Sequence, residues 1–209
     1  MKRKGEPADM NNAARIVLAS NSPRRRSLLA DLLGWEVLFV TPGVEEDVNG
    51  FRIPEDAVRH LSAQKAMSVA SSYDDLFVIG ADTIVYINGH ILGKPSSVEE
   101  AFEMLLELNG RTHEVYTGIA VVKGEILRVD HEVTRVTFRN MSPKALLAYA
   151  ETKEGLDKAG AYGVQGKGAL LVERVEGCFY NVVGLPLAKL SAMLQDLGWP
   201  LEDQWRCVR

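Results

Sequence analysis

The sequence predicts an α/β fold, because apolar strand-like segments and amphipathic helical segments alternate along most of its 209 residues. Residues 76–87 form the most apolar run in the chain and predict a central strand. Residues 15–33 begin as an apolar strand and break directly into a helix. Residues 112–122 and 125–138 predict two long strands joined at a Lys-Gly turn. The chain is long enough to bury a sizeable core and contains no internal repeat.

The remaining elements follow from helical periodicity, turn residues and helix caps. Ser97 and Glu100 fit a capping box, and Asn88-Gly89 is a hairpin signal. We expect a strand at 35–40, a helix at 54–72, a short strand at 90–92, a helix from 97 to 108, a helix from 143 to 150, a hairpin of strands 169–175 and 179–183, and a helix at 186–197. Residues 1–14 and 199–209 are expected to be tails flanking a single domain, 15–198.

Composition excludes several classes of protein. With 24 basic and 28 acidic residues the formal net charge is −4, which argues against a general nucleic-acid surface. No apolar run approaches membrane-spanning length, and residues 1–14 lack the apolar centre of a secretory signal. Cys178 and Cys207 fit no metal or redox motif, so we expect reduced thiols and a cytoplasmic location. The four histidines have no metal-ligand spacing.

The start of the first helix is the strongest sign of a ligand. Ser22 followed by Pro23 predicts a helix cap and first helical residue, and the next three residues are arginines. Cations oppose the helix dipole there unless an anion binds to the free amides and guanidinium groups. Arg25 also shares a face with Leu28, Leu29 and Leu32, which directs it toward the core. We therefore predict a phosphate site, with a solvated basic turn as the alternative.

Two further charged segments can be interpreted in two ways. Glu45, Glu46 and Asp47 follow a strand end, where they could supply oxygen ligands to a divalent cation or form a solvated acidic loop. Lys65 lies within an apolar helical stripe that includes Leu61. Such an ammonium group either snorkels to solvent or meets an anion, so Lys65 is a candidate partner for a phosphate or a carboxylate.

Asp82 is the best single candidate for catalysis. It interrupts the most apolar strand, and an unpaired carboxylate in a dry core costs several kcal/mol. A structural aspartate that accepts backbone hydrogen bonds is the alternative. The hairpin at Asn88-Gly89 should bring Lys94 beside Asp82, although Lys94 could equally be an exposed turn residue.

Residues 156–168 are rich in glycine but match neither a dinucleotide-binding nor a Walker motif. The glycines permit close approach of the backbone, either to a ligand or within a turn. Composition does not distinguish these two interpretations.

Five segments in order resemble the Maf family over roughly residues 15–195. They are Leu-Ala-Ser-Asn-Ser-Pro-Arg-Arg at 18–25, Gly-Ala-Asp-Thr at 80–83, Gly-Lys-Pro at 93–95, Asp-Lys-Ala-Gly-Ala-Tyr-Gly-Val-Gln-Gly at 157–166, and Asn-Val-Val-Gly-Leu-Pro-Leu at 181–187. The resemblance implies an elongated mixed sheet flanked by helices, in two lobes around a central cleft, as in inosine triphosphate pyrophosphatases. It also implies a metal-dependent enzyme that cleaves a nucleoside triphosphate to a monophosphate and pyrophosphate.

The resemblance also implies roles for individual residues. By motif position Ser20, Arg24 and Arg25 would hold phosphates, and Asp82 would be the general base. Glu46, Lys65 and Lys94 would fall on catalytic positions, with Glu46 and Asp82 binding a divalent cation, Mg or Mn. The segment containing Asp157, Lys158 and Gln165 resembles the subgroup that accepts dTTP and UTP, and Arg24, Thr83 and Gln165 fall on the positions associated with that choice.

The expected partner is therefore a nucleoside triphosphate, without nucleic acid or membrane, and a homodimer remains open. Two other functions fit less well. A nucleotide-binding regulator of septum formation would need the arginines but not a buried Asp82 or Lys65. A purine triphosphate pyrophosphatase of the related fold is the other alternative.

Overall fold

The computed structural model describes residues 15–44 and 50–207. Within these residues, seven strands form one mixed sheet. They are β1 (Ile16–Ala19), β2 (Val37–Val40), β3 (Phe77–Ile87), β4 (His90–Leu92), β5 (Thr112–Lys123), β6 (Ile126–Phe138) and β7 (Val172–Glu176). The order is β2-β1-β3-β5-β6-β7, with β4 on β3. β1 is parallel to β2 and β3, and the other pairings are antiparallel, so the predicted α/β class with a mixed sheet is confirmed.

Helices flank both faces of this sheet. They are α1 (Pro23–Ser27), which continues as a π-helical turn over Leu28–Leu32, and α2 (Pro54–Ala70), α3 (Val98–Leu108), α4 (Pro143–Ala150), α5 (Phe179–Val183), α6 (Leu187–Asp196) and α7 (Leu201–Arg206). Short 3₁₀ turns occupy Ala159–Ala161 and Gly166–Leu170. Within the described residues, no helix is both long and apolar enough to span a membrane.

Helix α2 packs unusually close to the sheet, because two strand residues beneath it are glycines. A Cβ added to Gly80 would lie 2.2 Å from the carbonyl oxygen of Ser62, and one added to Gly118 would lie 2.0 Å from that of Val58. Both distances are far inside van der Waals contact. Side chains at these two positions would push α2 away from the centre of β3 and β5.

The opposite face of the sheet carries two separate apolar clusters. One includes Leu18, Ile79 and Leu194 and lies under α1 and α6. The other includes Val85 and Phe138 and lies under α3 and α4. Between the two clusters this face is polar, because Thr83 of β3 pairs directly with Thr117 of β5. This arrangement agrees with the expected two lobes.

Two predictions for the end of the chain were wrong. Residues 179–183 form helix α5 rather than the second strand of a hairpin, and the helix ends at Gly184, whose φ is +116°. A run of five residues, four of them apolar or aromatic, does not distinguish a buried helix from a strand. Residues 199–206 are also not a tail, because they form α7 and bury Trp199 between Trp35 and Phe77, with ring centroids 4.9 Å and 5.6 Å apart.

Candidate active site

A cleft of about 360 Å³ opens where β1 ends against β3. β1 pairs with β3 as far as Gly80, and β4 pairs with β3 from Val85 onward. In the described part of the chain, neither β1 nor β4 pairs with β3 between Gly80 and Val85. The segment after β1 and the segment after β4 therefore flank a gap, and residues from both faces of β3 reach it.

The cleft brings together nearly all of the residues that the sequence indicated. Its lining includes Ser20, Arg24, Arg25, Lys65, Asp82, Thr83, Lys94, Asp157, Lys158 and Gln165. Glu46 lies outside the described residues. Arg26, the third arginine of the cluster, is not part of this lining, and its guanidinium carbon lies 4.9 Å from the centre of the Phe39 ring.

Lys65 and Asp82 form a buried ion pair at the base of the cleft. The distance from Lys65 Nζ to Asp82 Oδ1 is 2.5 Å, and the two residues are 3% and 6% exposed. Asp82 is the register partner of Gly118, so the close approach of α2 sets this pair. Lys65 therefore turns inward rather than snorkelling, and it provides the counter-charge that a buried carboxylate requires.

Arg25 is buried beneath the first turn of α1. Its Nε donates to the carbonyl of Gly184 at 2.7 Å, and its Nη2 donates to Thr83 Oγ1 at 2.8 Å. Its Nη1 donates to Ser20 Oγ at 3.4 Å. Ser22 caps the helix as predicted, through a hydrogen bond from the backbone amide of Arg25. The inward direction predicted for Arg25 is therefore confirmed.

Arg24 reaches across the mouth of the cleft to the glycine-rich segment. Its Nη1 lies 3.0 Å from Asp157 Oδ2, and Lys158 Nζ lies 2.6 Å from Asp157 Oδ1. Partial burial opposes ionisation of Asp157, but the hydrogen bond from Lys158 and the charge of Arg24 together lower its pKa. Two cations and one carboxylate thus lie at the rim, where an anionic ligand would meet them.

The glycine-rich segment folds as one wall of the cleft, anchored by a residue that the sequence did not indicate. Glu154 accepts hydrogen bonds from the backbone amides of Lys167 and Gly168, at 3.1 Å and 2.9 Å, and from the hydroxyl of Tyr149. Burial disfavours its charge, but these hydrogen bonds lower its pKa overall. Glu154 lies outside the glycine-rich run, and no local pattern marks it.

Tyr162 is a second residue that the sequence did not single out. It lines the cleft, and its hydroxyl lies 2.8 Å from Nε2 of His113, a buried histidine on β5. Burial lowers the pKa of His113 to about 4, so its imidazole is neutral near pH 7. The available signal was a lone aromatic residue within the glycine-rich run, because a tyrosine pairs a large apolar body with a polar tip that usually finds a partner when buried.

Comparison with known proteins assigns the chain to a family. The family model for Maf-like protein matches residues 15–197. A dTTP/UTP pyrophosphatase of Caldicellulosiruptor bescii is 45% identical over 193 residues, which covers 90% of this chain and 96% of that protein. A dTTP/UTP pyrophosphatase of Pelotomaculum thermopropionicum is 47% identical over 186 residues, covering 88% and 97%.

Two solved structures show a more distant likeness. A nucleoside-triphosphatase/dITP/XTP pyrophosphatase from Mycobacterium abscessus is 14% identical, with a TM-score of 0.43 over 88% of this chain and 98% of its own. The Ham1 protein of Staphylococcus aureus is 17% identical, with a TM-score of 0.48 over 87% and 98%. The family match and the two pyrophosphatase relatives show that this chain belongs to the Maf family.

Proposed function

We propose that this protein hydrolyses dTTP and UTP to the nucleoside monophosphate and pyrophosphate. The relatives of that name, at 45–47% identity over most of the chain, support this activity. The observation that carries the proposal is the buried Lys65–Asp82 pair in a cleft lined by further cations. Burying an ion pair at the base of a cleft seldom improves stability over an apolar pair, so a chemical role is the better explanation.

In this proposal Asp82 orients and deprotonates the attacking water, and Lys65 holds its carboxylate in place. Arg24, Lys94 and Lys158 bind the phosphates, where negative charge grows on the leaving pyrophosphate. Positioned cations contribute most to phosphoryl chemistry by stabilising that charge. Arg25 and Ser20 complete the phosphate subsite at the helix start.

The donor set in the cleft fits a magnesium or manganese ion bound together with a triphosphate. No group of three or more histidine, cysteine, aspartate or glutamate side chains capable of holding a metal lies within 15–44 and 50–207. Mg²⁺, however, is commonly held by one or two carboxylates with the substrate phosphates as further ligands, and Asp82 lies at the cleft to serve as one. Asp82 and Glu46 would hold the ion, which would neutralise phosphate charge.

In this proposal the glycine-rich wall of the cleft recognises the base. Gln165 offers both a hydrogen-bond donor and an acceptor, which match the polar edge of a thymine or uracil ring. Thr83 on β3 and Arg24 on α1 would contribute to this choice. A cytoplasmic location and a homodimer remain predictions, and size-exclusion chromatography with light scattering tests the latter.

The test is pyrophosphate release from a panel of triphosphates, with Mg²⁺ or Mn²⁺ present. We expect dTTP and UTP to be hydrolysed faster than dCTP, dITP and GTP, and Asp82→Asn to lose activity while remaining folded. A preference for dITP would instead favour a purine enzyme. Nucleotide binding without pyrophosphate release would favour a regulator and would contradict the proposal.

A further inference from the structure

Helix α5 and the glycine that ends it have no role in the chemistry above, yet two separate hydrogen-bond routes connect them to Arg25. Arg25 Nε donates to the carbonyl of Gly184, immediately after α5. A Cβ added to Gly184 would lie 3.3 Å from Thr83 Oγ1 and 3.5 Å from Arg25 Nε, at a φ that disfavours any side chain. The contact between this turn and Arg25 therefore depends on glycine.

A second route runs from Arg25 through two threonine hydroxyls to the same helix. Arg25 Nη2 donates to Thr83 Oγ1, and Thr83 Oγ1 lies 2.9 Å from Thr117 Oγ1. Thr117 Oγ1 in turn lies 3.0 Å from the carbonyl oxygen of Asn181, which can only accept a hydrogen bond. Thr117 itself is fully buried and is not part of the cleft lining.

The direction of each hydrogen bond along this second route is set by the last acceptor, the Asn181 carbonyl. Because a hydroxyl has one proton, and Thr117 gives its proton to Asn181, the hydrogen bond between the threonines must run from Thr83 to Thr117. Thr83 therefore accepts from Arg25, and every hydroxyl in the chain both donates and accepts. Chains in which all bonds run one way polarise and strengthen one another.

Asn181, at the far end of this hydrogen-bond route, is itself anchored. Asn181 is fully buried, and its Nδ2 donates at 2.9 Å both to the carbonyl oxygen of Val115 and to Thr134 Oγ1. These contacts fix α5 to β5 and β6. The guanidinium of Arg25 is thereby tied to the centre of the sheet.

We propose that Thr117, acting through Thr83, is a positioning residue that orients Arg25 for the substrate phosphates. This inference rests on the proposed function for its kinetic readout, but not for its structural one. Removal of the Thr117 hydroxyl should leave the Thr83 hydroxyl without its acceptor and the Asn181 carbonyl without this donor. The Arg25 guanidinium should then be held less firmly. The consequence should be weaker nucleotide binding rather than slower chemistry.

The kinetic test compares Thr117→Val, which keeps the shape and loses the hydroxyl, with Thr117→Ser, which keeps the hydroxyl. We expect Thr117→Val to raise the KM for dTTP by about fivefold with kcat changed less than about twofold, and Thr117→Ser to restore the KM. In a Thr83→Val background the Thr117→Val change should add little further, since the chain is already broken. Thr112→Val is the matched control, because it removes a 2.8 Å hydroxyl pair with Thr137 on the same two strands away from the cleft.

A second measurement does not need turnover. The Nη2 protons of Arg25, which donate to Thr83, are identified in an NMR spectrum by their loss in Arg25→Lys, and they should exchange with solvent at least about tenfold faster in Thr117→Val than in the parent or in Thr117→Ser. If Thr117→Val does not fold, Thr117→Ala takes its place. Unchanged KM and unchanged exchange in a folded variant lacking the hydroxyl, or equal losses in Thr117→Ser, would overturn the proposal. Absence of dTTP hydrolysis by the parent would refute the proposed function alone.

Discussion

Lys65 Nζ lies 2.5 Å from Asp82 Oδ1, and the two side chains come from elements that approach each other this closely because glycines line the interface. The ion pair is therefore a product of how closely α2 approaches β3 and β5. This relationship has consequences for both catalysis and stability, and the first three predictions separate them.

Replacing Asp82 by asparagine should abolish most of the activity. The amide keeps the shape but cannot accept a proton, and loss of a general base typically lowers kcat by about 10²- to 10⁴-fold. Pyrophosphate release from dTTP provides the measurement, with Asp130→Asn, a half-exposed carboxylate on β6, as the control. Substantial turnover in a folded Asp82→Asn protein would rule out the base assignment.

Replacing Lys65 by methionine should destabilise the protein as well as inactivate it. The change leaves Asp82 buried without its counter-charge, and breaking one side of a buried pair costs about 3–5 kcal/mol. In the double variant Lys65→Met/Asp82→Asn the carboxylate is also gone, so the free energy of unfolding should partly recover. Urea denaturation of the parent, both single variants and the double variant measures this coupling, and purely additive losses would contradict it.

Replacing Gly118 by alanine should separate the pair without changing either charged residue. The new methyl group would meet the Val58 carbonyl at 2.0 Å, so α2 must shift, and such overpacking costs about 1–3 kcal/mol. We expect kcat to fall because Lys65 no longer holds the Asp82 carboxylate in place. Gly50→Ala is the control, since a Cβ there meets nothing within 4 Å and should leave both quantities unchanged.

Stability should depend on pH through His113. Burial lowers its pKa from 6.5 to about 4, so between these values the unfolded chain binds a proton that the folded one does not. This contribution to stability is therefore complete above pH 6.5 and is lost as the pH falls toward 4, with a slope of up to about 1.4 kcal/mol per pH unit. His113→Gln can still hydrogen-bond to Tyr162 but cannot titrate, so urea denaturation between these pH values should show a shallower dependence than in the parent.

Trp199 should be essential for stability although it lies beyond the last long helix. It is 1% exposed and packs against Trp35 and Phe77, and truncation of a buried tryptophan to alanine costs about 3–5 kcal/mol. Thermal unfolding of Trp199→Ala should show this loss. Trp205→Ala is the matched control, because that side chain is 72% exposed and its removal should have little effect.

Much of the site could be predicted because several charged residues occupy positions in the sequence where a charge is unfavourable. Arginines at a helix start, a lysine in an apolar stripe and an aspartate in an apolar strand each carry a cost that only a partner can offset. Glu154 and Thr117 could not be found this way. A glutamate near a turn and a threonine in a strand are ordinary residues there, and only the packed structure shows what they hold.

The sequence by itself determined which residues are charged against their surroundings, where most strands and helices lie, and the family to which they belong. Periodicity and turn chemistry are local properties, and they carry this information without a fold. Only the tertiary structure decided that Lys65 pairs with Asp82, that α5 ties Arg25 to the sheet, and that residues 199–206 complete a core. These outcomes depend on contacts between segments far apart in the chain, and short apolar runs such as 179–183 take their conformation from those contacts.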